Sequence, residues 1–185
     1  MVLPSANINS TVDLDKRSTV APLCVALNCR SFMSKQYTGI GRYASRLVHA
    51  LAQIDDYNQY KLYAPKGIFN RKKTVPKIEA RNFSLKIDRF KRGLRNTVGK
   101  IDLYHALSPE IFDAKDCKVV MTVHDLIYKA FPQGHTQETL RLTDDQFQFF
   151  LSKVSKFICC SHNTAEDLEK YFNVPKSNTC VIYPG

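Results

Sequence analysis

Residues 38–42, Thr-Gly-Ile-Gly-Arg, form a segment that could bind an anion. The segment follows Leu23–Cys29, an apolar run typical of a strand buried on both faces of a parallel sheet. After it, from Tyr43 to Ile54, the apolar residues are spaced as on one face of a helix. A helix start offers N–H groups and the positive end of its dipole to phosphate or carboxylate, and an arginine strengthens such a contact. The residues predicted to bind the anion are Gly39, Ile40, Gly41 and Arg42.

Two other interpretations of this segment stay open. The glycines could serve only a tight turn with positive φ. Residues 39–44 also fit G-x-G-x-x-G/A, the dinucleotide fingerprint, which should follow its strand closely and be followed about 20 residues later by an acid. Here nine residues separate Cys29 from Gly39, and the next strand, predicted over 59–64, ends in Ala64-Pro65 without a carboxylate. A nicotinamide-dependent oxidoreductase is therefore disfavoured.

Further polar residues follow other predicted strands. His105 ends the apolar run 101–105, and His124 with Asp125 ends the run 118–125. Ser161 ends the run 156–161. In an open parallel sheet, ligands bind outside the carboxyl ends of the strands, so we expect these residues to share one edge with the glycine segment. The alternative is structural: a histidine held by hydrogen bonds, and an aspartate that caps the following turn.

The order of the predicted elements indicates the fold. Strands alternate with helices, the longest from about Thr136 to Val154, and a helix through Phe172 begins with Asn163 and Glu166 as a capping box. The last strand is predicted at residues 179–183. This rhythm is typical of an α/β, Rossmann-like parallel sheet with helices on both faces and right-handed crossovers.

Composition indicates one globular domain. Of the 185 residues, 44% are hydrophobic, while residues 1–19 are polar and read as a flexible leader, which leaves 20–185 as the domain. Neither a signal peptide nor a membrane-spanning run is recognisable. The six cysteines include no C-x-x-C pair and fall mostly in or beside apolar runs, which favours reduced thiols in a cytoplasmic protein. We expect no metal site, since the Asp13/Asp15 pair lies in the leader, and no cofactor.

The positive charge is concentrated in residues 61–100. This segment holds 13 lysines and arginines against two acids, a net charge of +11, whereas the whole chain carries +10. Apolar residues from Phe83 to Val98 recur at spacings of three and four, which predicts a helix with one cationic side. That helix could be an ordinary surface helix, or it could lie on an anionic membrane or an anionic substrate. Nucleic acid is not expected, because no recognition module accompanies the charge. The residues predicted to form a surface for a membrane or another anionic partner are Lys86, Arg89, Phe90, Lys91, Arg92 and Arg95.

Several motifs in order resemble the amino-terminal half of a retaining glycosyltransferase of family 4 with the GT-B fold. The resemblance covers Leu23 to Gly185. The motifs are residues 38–43 (TGIGRY), 102–105 (DLYH), 122–126 (TVHDL), 131–132 (FP), 161–168 (SHNTAEDL) and 181–185 (VIYPG).

The resemblance implies an enzyme that moves a sugar, such as mannose or another hexose, from a nucleotide-sugar donor to an acceptor hydroxyl with retained configuration. The amino-terminal domain of such enzymes mostly holds the acceptor, a saccharide or a lipid-linked molecule, and the active site lies between two domains. By similarity, Gly39 and Gly41 approach the donor's phosphates or the acceptor, and His124 contacts the transferring sugar as the catalytic residue. Work on lipid-linked acceptors would place the protein at the inner membrane face.

The family's carboxyl-terminal domain, which supplies most donor contacts, would begin beyond Pro184-Gly185. We therefore expect this chain to be inactive alone, as a truncated product, a cloned domain or one subunit of a split enzyme, and to need a carboxyl-terminal GT-B domain in cis or in trans. The alternative of another class is a non-catalytic binding module that keeps the fold and uses its basic surface for an anionic partner.

Overall fold

The computed structural model describes residues 21–33, 38–66, 77–110, 113–114 and 116–185. In these ranges seven strands alternate with five helices. The strands are β1 (Cys24–Asn28), β2 (Gln59–Ala64), β3 (Phe83–Ile87), β4 (Leu103–Ala106), β5 (Lys118–Val123), β6 (Lys156–Cys159) and β7 (Thr179–Val181). The helices are α1 (Gly39–Ile54), α2 (Gly93–Val98), α3 (Ile127–Ala130), α4 (Gln137–Leu151) and α5 (His162–Phe172).

The seven strands form one parallel sheet in the order β3-β2-β1-β4-β5-β6-β7. Strand order reverses between β1 and β4, so the crevice where open α/β sheets bind ligands lies beside these two strands. The prediction of an α/β, Rossmann-like parallel sheet is confirmed, and β2 has the predicted bounds.

Each face of the sheet carries its own hydrophobic core. On one face, Val25 and Leu27 of β1 pack with Ala44 and Val48 of α1. On the other face, α2, α4 and α5 cover the sheet, with the ring of Phe147 in α4 stacked on that of Phe172 in α5. Successive residues of a strand point to opposite faces, so the parity of a position decides which core it enters. This rule fixes which side chains reach α1 at the carboxyl edge.

The prediction of a helix over Phe83–Val98 was wrong. Phe83 and Ile87 lie on β3 and pack in the core on the α1 face, whereas Leu94 and Val98 lie on α2 in the opposite core. A spacing of four satisfies the strand period of two as well as the helical period, so the apolar pattern could not separate the two. The chain turns at Asp88, between the two elements.

Asp88 holds this turn together. Its carboxylate accepts hydrogen bonds from the backbone amides of Arg92 and Gly93 and from the hydroxyl of Tyr63, all at 2.9 Å. Burial acts to raise the pKa of Asp88, but these hydrogen bonds together lower it. Lys91 and Gly93 adopt positive φ, which closes the turn and leaves the Phe90 ring 66% exposed. The basic residues therefore lie on a strand, a turn and a short helix.

Helix α5 begins two residues earlier than the predicted capping box. Ser161 is its N-cap and accepts the amide of Thr164 at 3.1 Å, so the Asn163–Glu166 prediction was wrong. The helix ends at Phe172 as predicted, and Asn173 closes it in the left-handed conformation.

The predicted leader and its Asp13/Asp15 pair lie outside the residues that the structure describes. In the described part of the chain, no helix combines the length and apolar character that crossing a bilayer requires. All six cysteines carry free thiols.

Candidate functional site

The start of α1 lies at the carboxyl edge of the sheet, as the sequence predicts. Thr38 is the N-cap, and its hydroxyl accepts the amide of Gly41 at 3.3 Å. Gly39 is exposed and Gly41 is buried, and both have helical backbone, so neither serves a turn with positive φ. Because Thr38 takes the Gly41 amide, the N–H groups that an anion would meet first are those of Gly39 and Ile40.

His124 is held from three sides. Its Nε2 lies 3.0 Å from the carbonyl oxygen of Leu107, and its Nδ1 lies 3.4 Å from the sulfur of Cys160. The ring of Tyr43 meets the His124 ring edge-on, with centroids 5.0 Å apart at 85°. Tyr43 is two residues beyond Gly41 on α1, so the helix start and His124 share one edge, as predicted. The Thr164 hydroxyl donates to the His124 carbonyl at 3.2 Å and fixes the backbone as well.

Strand parity explains this meeting. Met121 and Val123 of β5 enter the core away from α1, so Thr122 and His124 point toward α1. Cys159 of β6 enters that same far core, which directs Cys160 toward α1. Two neighbouring strands, β5 and β6, therefore deliver polar side chains to the same face and the same edge.

His105 joins the group through Thr122. Its Nε2 lies 2.9 Å from the Thr122 hydroxyl, and burial lowers the pKa of His105 to about 4, so the ring is uncharged near neutral pH. Burial raises the pKa of Tyr43, and a hydrogen bond with Thr122 partly opposes that rise. His105, Thr122, Tyr43 and His124 thus form a chain in which each side chain contacts the next, and we call these four residues the polar line.

Asp125 and Ser161 have structural partners. One carboxylate oxygen of Asp125 accepts the amide of Ile127 at 3.2 Å at the start of α3, and the side chain is exposed. The Ser161 hydroxyl contacts the Thr164 hydroxyl at 3.0 Å in addition to capping α5. Ser161 therefore supports the contact between the Thr164 hydroxyl and the His124 carbonyl. Asp125, next to His124 in the chain, keeps an exposed carboxylate.

A family comparison identifies the chain. A model of the Glycosyltransferase Family 4 matches residues 37–185, which include every part of the edge described above except the end of β1. The chain belongs to glycosyltransferase family 4. A comparison with curated proteins gives no match. Membership supports glycosyl transfer with a sugar donor and an acceptor as partners, and it replaces the oxidoreductase interpretation.

The family 4 domain has a buried polar network that the sequence analysis missed. The Tyr104 hydroxyl donates to Glu110 at 2.9 Å, and the side chain of Asn28 hydrogen-bonds to both groups. Burial raises the pKa of Glu110, and the hydrogen bonds with Tyr104 and Asn28 and the charge of Arg30 act against that rise. The network anchors the loop after β4, the loop whose Leu107 carbonyl meets His124.

A cavity of about 400 Å³ lies beside the first turns of α1 in the family 4 domain. Arg42 and Arg46 line it together with the apolar residues Leu47, Ala50 and Ile182. Tyr43 lines the same cavity and contacts His124, so the cavity adjoins the polar line. The predicted Arg42 thus lies next to an open space large enough for part of a ligand.

Proposed function

We propose that this domain is the acceptor-side half of a retaining glycosyltransferase with the GT-B arrangement. In this proposal the carboxyl edge forms one wall of a cleft and a donor-binding domain, in cis or in trans, forms the other. The single observation that carries it is the contact between Tyr43 of α1 and His124 after β5, which brings the helix start and the histidine to one edge of a family 4 domain.

The residues of the edge have separate roles in this proposal. The amides of Gly39 and Ile40, together with Arg42, stabilise negative charge on the leaving diphosphate of a nucleotide-sugar donor. His124 hydrogen-bonds to the transferring sugar, and His105 stays uncharged and supports Thr122. Asp125 offers its exposed carboxylate to a sugar hydroxyl of the donor or acceptor. Cytoplasmic nucleotide sugars, of mannose or another hexose, are the donors that we propose.

The transfer assay uses the chain with and without a donor-binding domain of the family, either fused after Gly185 or added separately; we call this combination the joined protein. We expect no hexose transfer from GDP-mannose or UDP-glucose by residues 1–185 alone, because in this proposal the donor-binding domain supplies most of the donor contacts. The joined protein transfers hexose to a saccharide or lipid-linked acceptor and retains the anomeric configuration. Transfer by the chain alone would contradict the proposal that a second domain must bind the donor. A product with inverted configuration would contradict the retaining mechanism.

The turn that carries Phe90 supports a second part of the proposal, an anionic membrane as partner. Phe90 is exposed beside the guanidinium of Arg92, 5.3 Å from the ring centroid. Arg89 and Lys91 are exposed on the same turn, which the hydrogen bonds to Asp88 close. An aromatic ring surrounded by cations suits the boundary between lipid head groups and acyl chains. Arg95 is instead paired with Asp116 at 2.8 Å, and Lys86 is half-buried.

Replacing Phe90 and Arg92 together by glutamate tests this surface. Each cation near an anionic membrane is worth about 1 kcal/mol, so we expect binding to vesicles with phosphatidylserine or phosphatidylglycerol to fall at least about tenfold. Cosedimentation in low salt measures it. Arg141→Glu with Leu142→Glu is the matched control, since it also replaces an exposed arginine and an exposed apolar residue, here on α4, and makes the same change in charge. Equal losses in both variants, or no vesicle binding by the parent, would remove the membrane from the proposal.

A further inference from the structure

The two ring nitrogens of His124 have different partners, and these partners fix the proton. A carbonyl oxygen can only accept, so the contact of 3.0 Å with Leu107 requires a proton on Nε2. In the uncharged ring, Nδ1 is then an acceptor. The Cys160 sulfur lies 3.4 Å from Nδ1, and its S–H is the donor.

The surroundings of Cys160 keep its thiol protonated. Burial raises the pKa of Cys160, and the charge of Asp125 raises it further. Cys160 follows β6 and precedes the N-cap of α5, so its backbone is fixed on both sides. The thiol is therefore a fixed donor, aimed at the ring from the side opposite to Leu107.

We propose that Cys160 is a positioning residue for His124. Its thiol donates to Nδ1 and, together with the Leu107 carbonyl at Nε2, holds the ring in the tautomer and orientation in which a sugar hydroxyl can donate to Nδ1. The identification of a sugar as ligand rests on the proposed function, whereas the coupling of Cys160 to His124 does not. A thiol is a weak donor and the contact is long, so a hydroxyl gains by taking its place at Nδ1. The Leu107 contact stays intact and holds the ring during the exchange.

The test measures the His124 ring nitrogens by NMR in the full chain labelled with ¹⁵N-histidine. In the parent we expect a protonated Nε2 and an Nδ1 signal typical of a nitrogen that accepts a hydrogen bond. Cys160→Ala moves the Nδ1 signal toward that of a free accepting nitrogen, and Cys160→Ser, which keeps a donor, restores it. Cys180→Ala is the control, because Cys180 is an exposed thiol on β7.

The outcomes separate the two claims. A proton on Nδ1 in the parent, or a His124 spectrum that Cys160→Ala leaves unchanged, overturns the proposal. In the joined protein, we expect Cys160→Ala to lower kcat severalfold, and we expect Cys160→Ser, whose hydroxyl is a stronger donor that the sugar displaces less readily, to restore only part of that loss. If the spectra follow the expectation and the joined protein transfers no sugar, the proposed function fails and the positioning role of Cys160 stands.

Discussion

Replacing His124 by alanine in the joined protein is expected to lower kcat by roughly 10²- to 10³-fold, the usual cost of removing one group that stabilises the transition state. The change also removes the partner of the Leu107 carbonyl and of the Cys160 thiol. It leaves Gly39, Ile40 and Arg42 in place, so donor binding weakens less than turnover. Initial rates over a range of GDP-mannose or UDP-glucose concentrations separate kcat from KM.

His135→Ala is the matched control for this variant. His135 is exposed between the short 3-10 helix Pro132–Gly134 and α4, so the transfer rate should stay within a factor of two, roughly the scatter of surface substitutions. A thermal melt of each variant shows whether the fold is retained. A folded His124→Ala variant with the parent's kcat would remove His124 from the chemistry.

The second large effect concerns stability and Asp55, which joins α1 to β2. Its carboxylate accepts four hydrogen bonds, from the amides of Tyr57 and Asn58, the side chain of Asn58 and the hydroxyl of Tyr60, at 2.7–3.1 Å. A hydrogen bond to a charged group contributes about 1.5–3 kcal/mol, and part of that is recovered by water after truncation. We expect Asp55→Ala to lower the free energy of unfolding by about 3 kcal/mol in urea titration.

The contribution of Asp55 should depend on pH in a defined direction. Burial acts to raise its pKa, but the hydrogen bonds from Asn58, Tyr60 and Tyr57 outweigh burial and lower it from 3.8 to about 2. The folded protein therefore prefers the charged form, so the contribution is complete above pH 3.8 and is lost as the pH falls toward 2.

The control for Asp55 is Asp145→Ala on the exposed face of α4, which removes a carboxylate at little cost. The difference in unfolding free energy between the two variants should shrink between pH 5 and pH 2, a range that brackets the ordinary and the folded pKa of Asp55. A difference that is constant with pH, or absent at pH 5, would show that Asp55 does not hold α1 to the sheet.

Much of the edge could be predicted because strand ends are visible in the sequence. The apolar run before His124 gave the strand, and the rule for parallel sheets gave the edge. Parity along the same run could also have identified Thr122 and Cys160, since both share the face of His124. The alternation along the strands was visible in the sequence, but it could not be used without knowing which face of the sheet α1 covers.

Other features could not be read from local pattern. Tyr43 reaches His124 because the start of α1 and the end of β5, which lie far apart in the sequence, meet in the folded sheet. Glu110 lies in a loop without periodicity, and its role depends on Tyr104 and Asn28 from two separate strands. In the basic segment, the carboxylate of Asp88 turns a chain whose apolar spacing fits a helix equally well.

Hydrogen–deuterium exchange of the joined protein, with and without GDP-mannose or UDP-glucose, tests the central claim most directly. If the carboxyl edge is the wall of the cleft, the donor slows exchange in residues 38–46 and 122–126. The opposite edge, with residues 55–58 and 99–102, keeps its exchange rate. Slowed exchange at that opposite edge, or none in this domain under conditions of sugar transfer, would contradict the account.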